Sequence, residues 1–170
     1  MSAELLYSEM IEQYEALETN NQRINYLQKH NNPRFKFFIN LILNKKIKFS
    51  IDPPPYRPAE EPAGLNFTYL DAEMDKLYRF IQNHKLKPAG LTTQKETELL
   101  LVTLESLHKD EAELLCKIMT KTLKVKNLKK PLVLKVFPDL EILYESSCCN
   151  ANDWCRHIIT MDRICSKTNT

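Results

Sequence analysis

Only two glycines, Gly64 and Gly90, occur in the 170 residues of this chain. Glycine lets a backbone turn tightly at little steric cost, and β-sandwiches use many such turns. A chain so short of it is best built from helices joined by few connections. The same scarcity excludes a glycine-built phosphate loop. With 43% hydrophobic and 27% charged residues, the length suits one domain that buries a real core.

Apolar spacing predicts an all-α bundle of about seven helices over residues 1–145, with a proline-rich loop and a separate Cys-rich extension over 146–170. Leu6, Met10, Tyr14 and Leu17 place an acidic amphipathic helix over 3–18. Asn20 and Asn21 offer N-caps to a second helix carrying Ile24 and Leu27. Pro33 suits the first turn of a third, which runs to the basic segment Lys45-Lys46-Ile47-Lys48. Residues 52–64 hold five of the nine prolines and read as an extended loop. Thr68 and Asp71 form a potential capping box for a fourth helix whose stripe is Leu70, Met74, Leu77, Tyr78 and Ile81. A fifth starts at Thr93 with Leu100, Leu104 and Leu107 inward. Asp110 caps a sixth, with Leu114, Leu115, Ile118 and Met119 inward and Lys117 and Lys121 outward. A short seventh carries Leu132, Val136 and Phe137, and Cys116 reads as a small buried hydrophobe.

Charge is strongly segregated. Between Thr19 and Ile51 the only charged residues are Arg23, Lys29, Arg34, Lys36, Lys45, Lys46 and Lys48. Between Leu114 and Pro138 they are Lys117, Lys121, Lys124, Lys126, Lys129, Lys130 and Lys135. All 22 carboxylates lie elsewhere, so a net charge of +2 conceals two basic blocks against an acidic remainder. Such blocks can build a phosphate-facing surface on a near-neutral protein, although many charge runs are only solvated faces.

Catalytic patterns are missing. There is no HExxH spacing, serine nucleophile elbow or Walker loop, and the histidines are scattered at 30, 84, 108 and 157. Of the paired carboxylates, Glu60-Glu61 lies among prolines, and helix-dipole compensation accounts for Asp110-Glu111. We expect a protein that is not an enzyme and that needs no metal or cofactor.

The stretch Ala112–Leu140 reads AELLCKIMTKTLKVKNLKKPLVLKVFPDL. It resembles the closing segment of the all-helical N-terminal DNA-binding domain of ATP-dependent DNA ligases, the bacteriophage enzymes in particular. Shared are a helix ending at Lys121, Leu123, a turn, and a short helix closing on Lys135-Val136-Phe137-Pro138-Asp139-Leu140. The resemblance extends more weakly over residues 21–140. Where the family usually has a glycine in the turn before the last helix, this chain has Lys126-Asn127, with one extra residue, and asparagine tolerates the left-handed conformation. No Lys-x-Asp-Gly occurs, so no lysine can carry AMP and the chain cannot ligate alone.

What the resemblance implies is a DNA-binding module without its catalytic domain. Such a module straddles duplex DNA, nicked or intact, and grips phosphates while reading shape more than sequence. The residues placed at that interface are Arg34 and Lys36 at one helix start, Lys45, Lys46 and Lys48 at its end, and Lys121, Lys124, Lys126, Asn127, Lys129 and Lys130 around the second turn. Backbone N–H groups at the last helix's N-terminus are expected to meet phosphate as well. Two other readings stand beside this one. In the first, the acidic first helix and the proline-rich loop bind a protein partner in replication or repair. In the second, the chain is an accessory subunit to a catalytic domain encoded elsewhere.

After Ser146 four cysteines, the single tryptophan and no leucine occur. Cys148, Cys149, Cys155, His157 and Cys165 could in principle hold zinc, yet no C-x2-C pair supports it. A docking helix with Trp154, Ile158, Ile159 and Ile164, or a poorly ordered tail, is the expectation. Interrupted apolar runs and an acidic N-terminus without a signal-peptide pattern predict a cytoplasmic protein, in the host cytoplasm if viral.

Overall fold

A computed structural model of the chain describes residues 5–62 and 65–140. The expectations for the Cys-rich extension fall on 141–170, outside the described residues. Among the described residues seven α-helices follow one another: α1 (Tyr7–Glu15), α2 (Asn20–Lys29), α3 (Pro33–Leu43), α4 (Leu70–Met74), α5 (Thr93–Ser106), α6 (Lys109–Met119) and α7 (Lys130–Val136). Short 3-10 turns occupy Leu77–Phe80 and Pro138–Leu140. Among the described residues there is no named strand, only a single antiparallel bridge between Phe49 and Ile81.

Local chemistry accounts for most boundaries. Thr19 caps α2 by accepting from the Gln22 N–H while Gln22 Oε1 accepts from the Thr19 N–H, so Asn20 and Asn21 lie inside the helix. Asn32 Oδ1 accepts from the Phe35 N–H, and Pro33 fills the first helical position of α3. Thr92 caps α5, and His108 rather than Asp110 stands at the N-cap of α6. The last turn of α6 closes as a Schellman motif, with Lys121 N–H bonded to Ile118 O and Thr122 N–H to Lys117 O. That motif needs a left-handed residue, and Lys121 takes it at φ 57°. Asn83 (φ 58°) and Asn127 (φ 62°) fill two further left-handed turns. The chain uses Asn and Lys where others use glycine.

Two expectations need correction. The stripe from Leu70 to Ile81 does not form one helix, because α4 ends at Met74 and Ile81 is extended. Its neighbours pair with a distant segment instead: Ser50 N–H donates to Phe80 O (2.8 Å) and Gln82 N–H to Lys48 O (2.7 Å). Thr68 makes no capping box either, since its hydroxyl bonds to Glu73.

The helices wrap a single core centred on Phe38, Leu41, Leu70, Leu100, Leu104 and Leu115, all buried. α1 packs on α6, α3 on α4, α4 on α6 and α2 on α7. The Tyr7 ring stacks on Phe38 with centroids 4.3 Å apart. The proline-rich segment lies against this core. Tyr56 is half-buried beside Cys116, itself only half-buried, and the Arg57 N–H reaches Glu105.

One buried carboxylate joins three helix starts. Glu111, in the first turn of α6 and 1% exposed, accepts the Tyr7 N–H opening α1 (3.2 Å) and the Leu70 N–H opening α4 (2.9 Å). Those groups are orphan donors that must find an acceptor. Burial pushes the Glu111 carboxyl above its ordinary value, against the pull of its two N–H donors. Helix-dipole compensation alone therefore understates what this residue does.

Candidate functional site

The C-terminal ends of α3 and α6 meet. Lys121 turns its ammonium back to donate to Leu41 O (2.6 Å) and Asn44 O (3.3 Å), the carbonyls left open where α3 stops. The same ammonium lies 5.8 Å from the centre of the Phe49 ring. Burial lowers its proton affinity below the ordinary lysine value. Lys121 is exposed, as expected, and its ammonium is also the pin that brings the two basic blocks together.

Around it stand Lys45, Lys46 and Lys48, which follow α3, and Lys124, three residues beyond Lys121. All four are exposed, and none is paired with a carboxylate among the described residues. The pairing of Gln82 with Lys48 brings in a third segment. From Lys76 to Lys95 the chain again has no acidic residue while it carries Lys76, Arg79, Lys85, Lys87 and Lys95. Lys85, three residues past Gln82, is exposed and likewise in no ion pair among the described residues. The missed signal was this third, more dilute acid-free window. Its Lys87 is already committed, bound to the buried Glu96 at 2.6 Å and to Ser50 Oγ at 2.8 Å.

The other expected contacts are placed differently. Arg34 is held by two carboxylates, Asp71 (2.7 Å) and Asp75 (2.6 Å), which raise its already high pKa further, Asp75 most. Asp71 in turn accepts the Tyr7 hydroxyl at 2.6 Å, so Arg34 closes a network across α3, α4 and α1. Lys36 lies over the Phe137 ring, 5.4 Å from its centre. Arg23, also in the first block, is buried and donates to Leu17 O and Glu18 O behind α1.

Lys126, Asn127, Lys129 and Lys130 form a second locus beside the end of α1. There the Lys126 N–H donates to Glu15 Oε1 (2.7 Å) and the Tyr14 hydroxyl to Asn127 O (3.3 Å). The left-handed turn at Asn127 forms without a glycine. Its backbone offers little to phosphate, since Lys126 N–H is taken by Glu15, Leu128 N–H by Val125 O, and Pro131 has no N–H. The expected backbone contribution at the start of α7 is thus largely spent.

No group of three or more His, Cys, Asp or Glu among the described residues is placed to hold a metal ion. No described helix is long and apolar enough to cross a membrane.

Fold and site together define an all-helical protein with one lysine-rich, acid-poor end. Residues 10–125, more than half of the chain and inclusive of that end, match the model of DUF6433, a family of unknown function, and the chain belongs to that family. No curated protein and no solved structure matches it.

Proposed function

We propose that this protein is a non-catalytic DNA-binding protein that grips the phosphate backbone of duplex DNA, nicked or intact, with its lysine-rich end. The observation that carries this reading is the convergence of three acid-free segments on the junction of α3 and α6, with Lys45, Lys46, Lys48, Lys85 and Lys124 exposed there. Lysines paired with no carboxylate leave a net positive field, and phosphate is the common polyanion that such a field recruits. The resemblance of residues 112–140 to the closing segment of a ligase DNA-binding domain points the same way, and Asn127 in its turn takes a left-handed conformation. Arg34 drops out of the binding set because Asp71 and Asp75 hold its charge, and the Lys121 ammonium is aimed at two carbonyls at the end of α3. Lys126, Lys129 and Lys130 remain as an outlying contact.

The test is a titration against nicked and intact duplexes across salt concentrations. Four or five phosphate contacts give a slope of log K against log salt of about −4. The triple reversal Lys45→Glu, Lys46→Glu, Lys124→Glu should flatten that slope by about 3 and leave the melting transition intact. Absence of salt-dependent binding at low salt refutes the reading.

A further inference from the structure

Near this end, on the other side of the 3-10 turn Leu77–Phe80, lies an open groove of about 400 Å3 between the Phe67 segment, that turn and α5. Leu99 and Val102 contribute apolar lining, Thr103 a hydroxyl, and Lys76 and Arg79 its cations. Phe67 lines it too and is 92% exposed, with Val102 at 63% and Leu65, two residues before Phe67, at 72%. Scattered exposed apolar residues are ordinary, but here Phe67 and Val102, two of the four large ones among the described residues, line one groove. A phenyl ring so exposed contributes little to the fold and presents its face to whatever enters.

The charges select the occupant. Arg79 gives its Nε–H to the Lys76 carbonyl (3.1 Å) and pairs with no carboxylate among the described residues. The one carboxylate in the lining, Glu73, is buried and already bound by Lys76 and by Thr68. An apolar floor, a free aromatic face and an unneutralised guanidinium together suit a planar base attached to a phosphate. The groove's Arg79 precedes Phe80, which accepts the Ser50 N–H, so the groove and the lysine-rich end share the 3-10 turn between them.

We infer that this groove takes an unpaired base, stacked on Phe67 with its phosphate at Arg79, so that the DNA preferred is one whose duplex opens into a single-stranded segment. The inference rests on the proposed DNA binding and specifies the structure of the DNA bound.

The experiment is fluorescence anisotropy with a blunt duplex and with the same duplex carrying a single-stranded extension of about six nucleotides. Wild type binds the extended duplex more tightly. Phe67→Ala removes that preference, with a loss of about 5- to 150-fold confined to the extended DNA. Its salt slope is unchanged, since no charge is removed, and Phe67→Trp restores the preference. Arg79→Ala flattens the slope for the extended DNA by about 0.7. If both duplexes bind equally, or Phe67→Ala binds the extended DNA as tightly as wild type, the groove inference is overturned while DNA binding at the lysines stands. If neither DNA binds wild type at low salt, both fall. Because Phe67 is almost wholly exposed, its replacement leaves folding intact and the readout interpretable.

Discussion

Removing the Glu111 side chain is the most direct way to test how this bundle is held together. Its carboxylate is the acceptor for the first N–H of α1 and the first N–H of α4, and water does not reach it. Glu111→Ala leaves both donors buried without a partner, at about 1–3 kcal/mol each, so the expected loss is about 2–6 kcal/mol. Against a total stability of about 5–15 kcal/mol, that brings the domain close to unfolding. Glu111→Gln keeps one acceptor oxygen but turns an NH2 toward the second donor, so about 1–3 kcal/mol is expected. Urea denaturation followed by far-ultraviolet circular dichroism reads both values. The pH dependence supplies a second check. Burial holds the folded-state pKa of Glu111 above the ordinary value, so the folded form binds its proton more readily than the unfolded form does. The stability this provides is complete below the ordinary carboxyl value and is lost as pH rises through the folded-state value. The glutamine variant lacks that slope. A cost below about 1 kcal/mol for Glu111→Ala refutes the capping argument.

Lys121 combines a strained backbone with a useful ammonium. Lys121→Ala keeps the left-handed strain and loses both carbonyl contacts at the end of α3, so it should destabilise by about 1–3 kcal/mol, whereas Lys121→Gly relieves the strain and recovers about 1 kcal/mol of that. Equal melting temperatures for the two variants contradict this. Arg34→Met should leave DNA affinity within about twofold, because Asp71 and Asp75 already neutralise the guanidinium, and it should cost only about 1 kcal/mol because the pair is partly exposed. A flattened salt slope in the same titration would show that Arg34 reaches DNA after all. Burial lowers the His84 pKa, and its Nδ1 accepts the Leu86 N–H at 3.2 Å. The folded form therefore resists protonation, and stability falls as pH drops below the ordinary histidine value of 6.5. His84→Gln should lessen that fall, measured by chemical denaturation between pH 7.5 and 5.5; an unchanged acid limb rules it out.

The parts of the fold that were legible are those fixed by neighbours in sequence. Asn32 and Pro33 announce the start of α3, and the spacing of Leu100, Leu104 and Leu107 identifies the buried face of α5 and the residue that follows it. The fourth helix was misjudged because its apolar stripe is compatible with continuous helix. The pairing of Phe80 and Gln82 with residues about thirty positions earlier claims backbone groups there and accounts for the extended Ile81, where the expected stripe ends. Glu111 was misjudged for the same reason, since its two donors lie 104 and 41 residues before it.

Charge follows a similar rule, with a consequence for the site. An acid-free window states what is absent along the chain, whereas a phosphate responds to what is absent in space. Arg34 sits in such a window, yet Asp71 and Asp75 reach it across 37 and 41 residues and cancel it. Lys126 sits in another, and Glu15, 111 residues away, comes up to take its backbone N–H. Lys45, Lys46, Lys48 and Lys124 keep their charge because Lys121, which follows α6, and the loop after Gln82 come from acid-free windows, while Glu96, which also reaches Ser50, is held by Lys87. The surviving positive end is thus the place where windows meet one another. Its composition could have been foreseen only by including the sparser third window, from Lys76 to Lys95, and asking which pairs of windows the helix ends bring together.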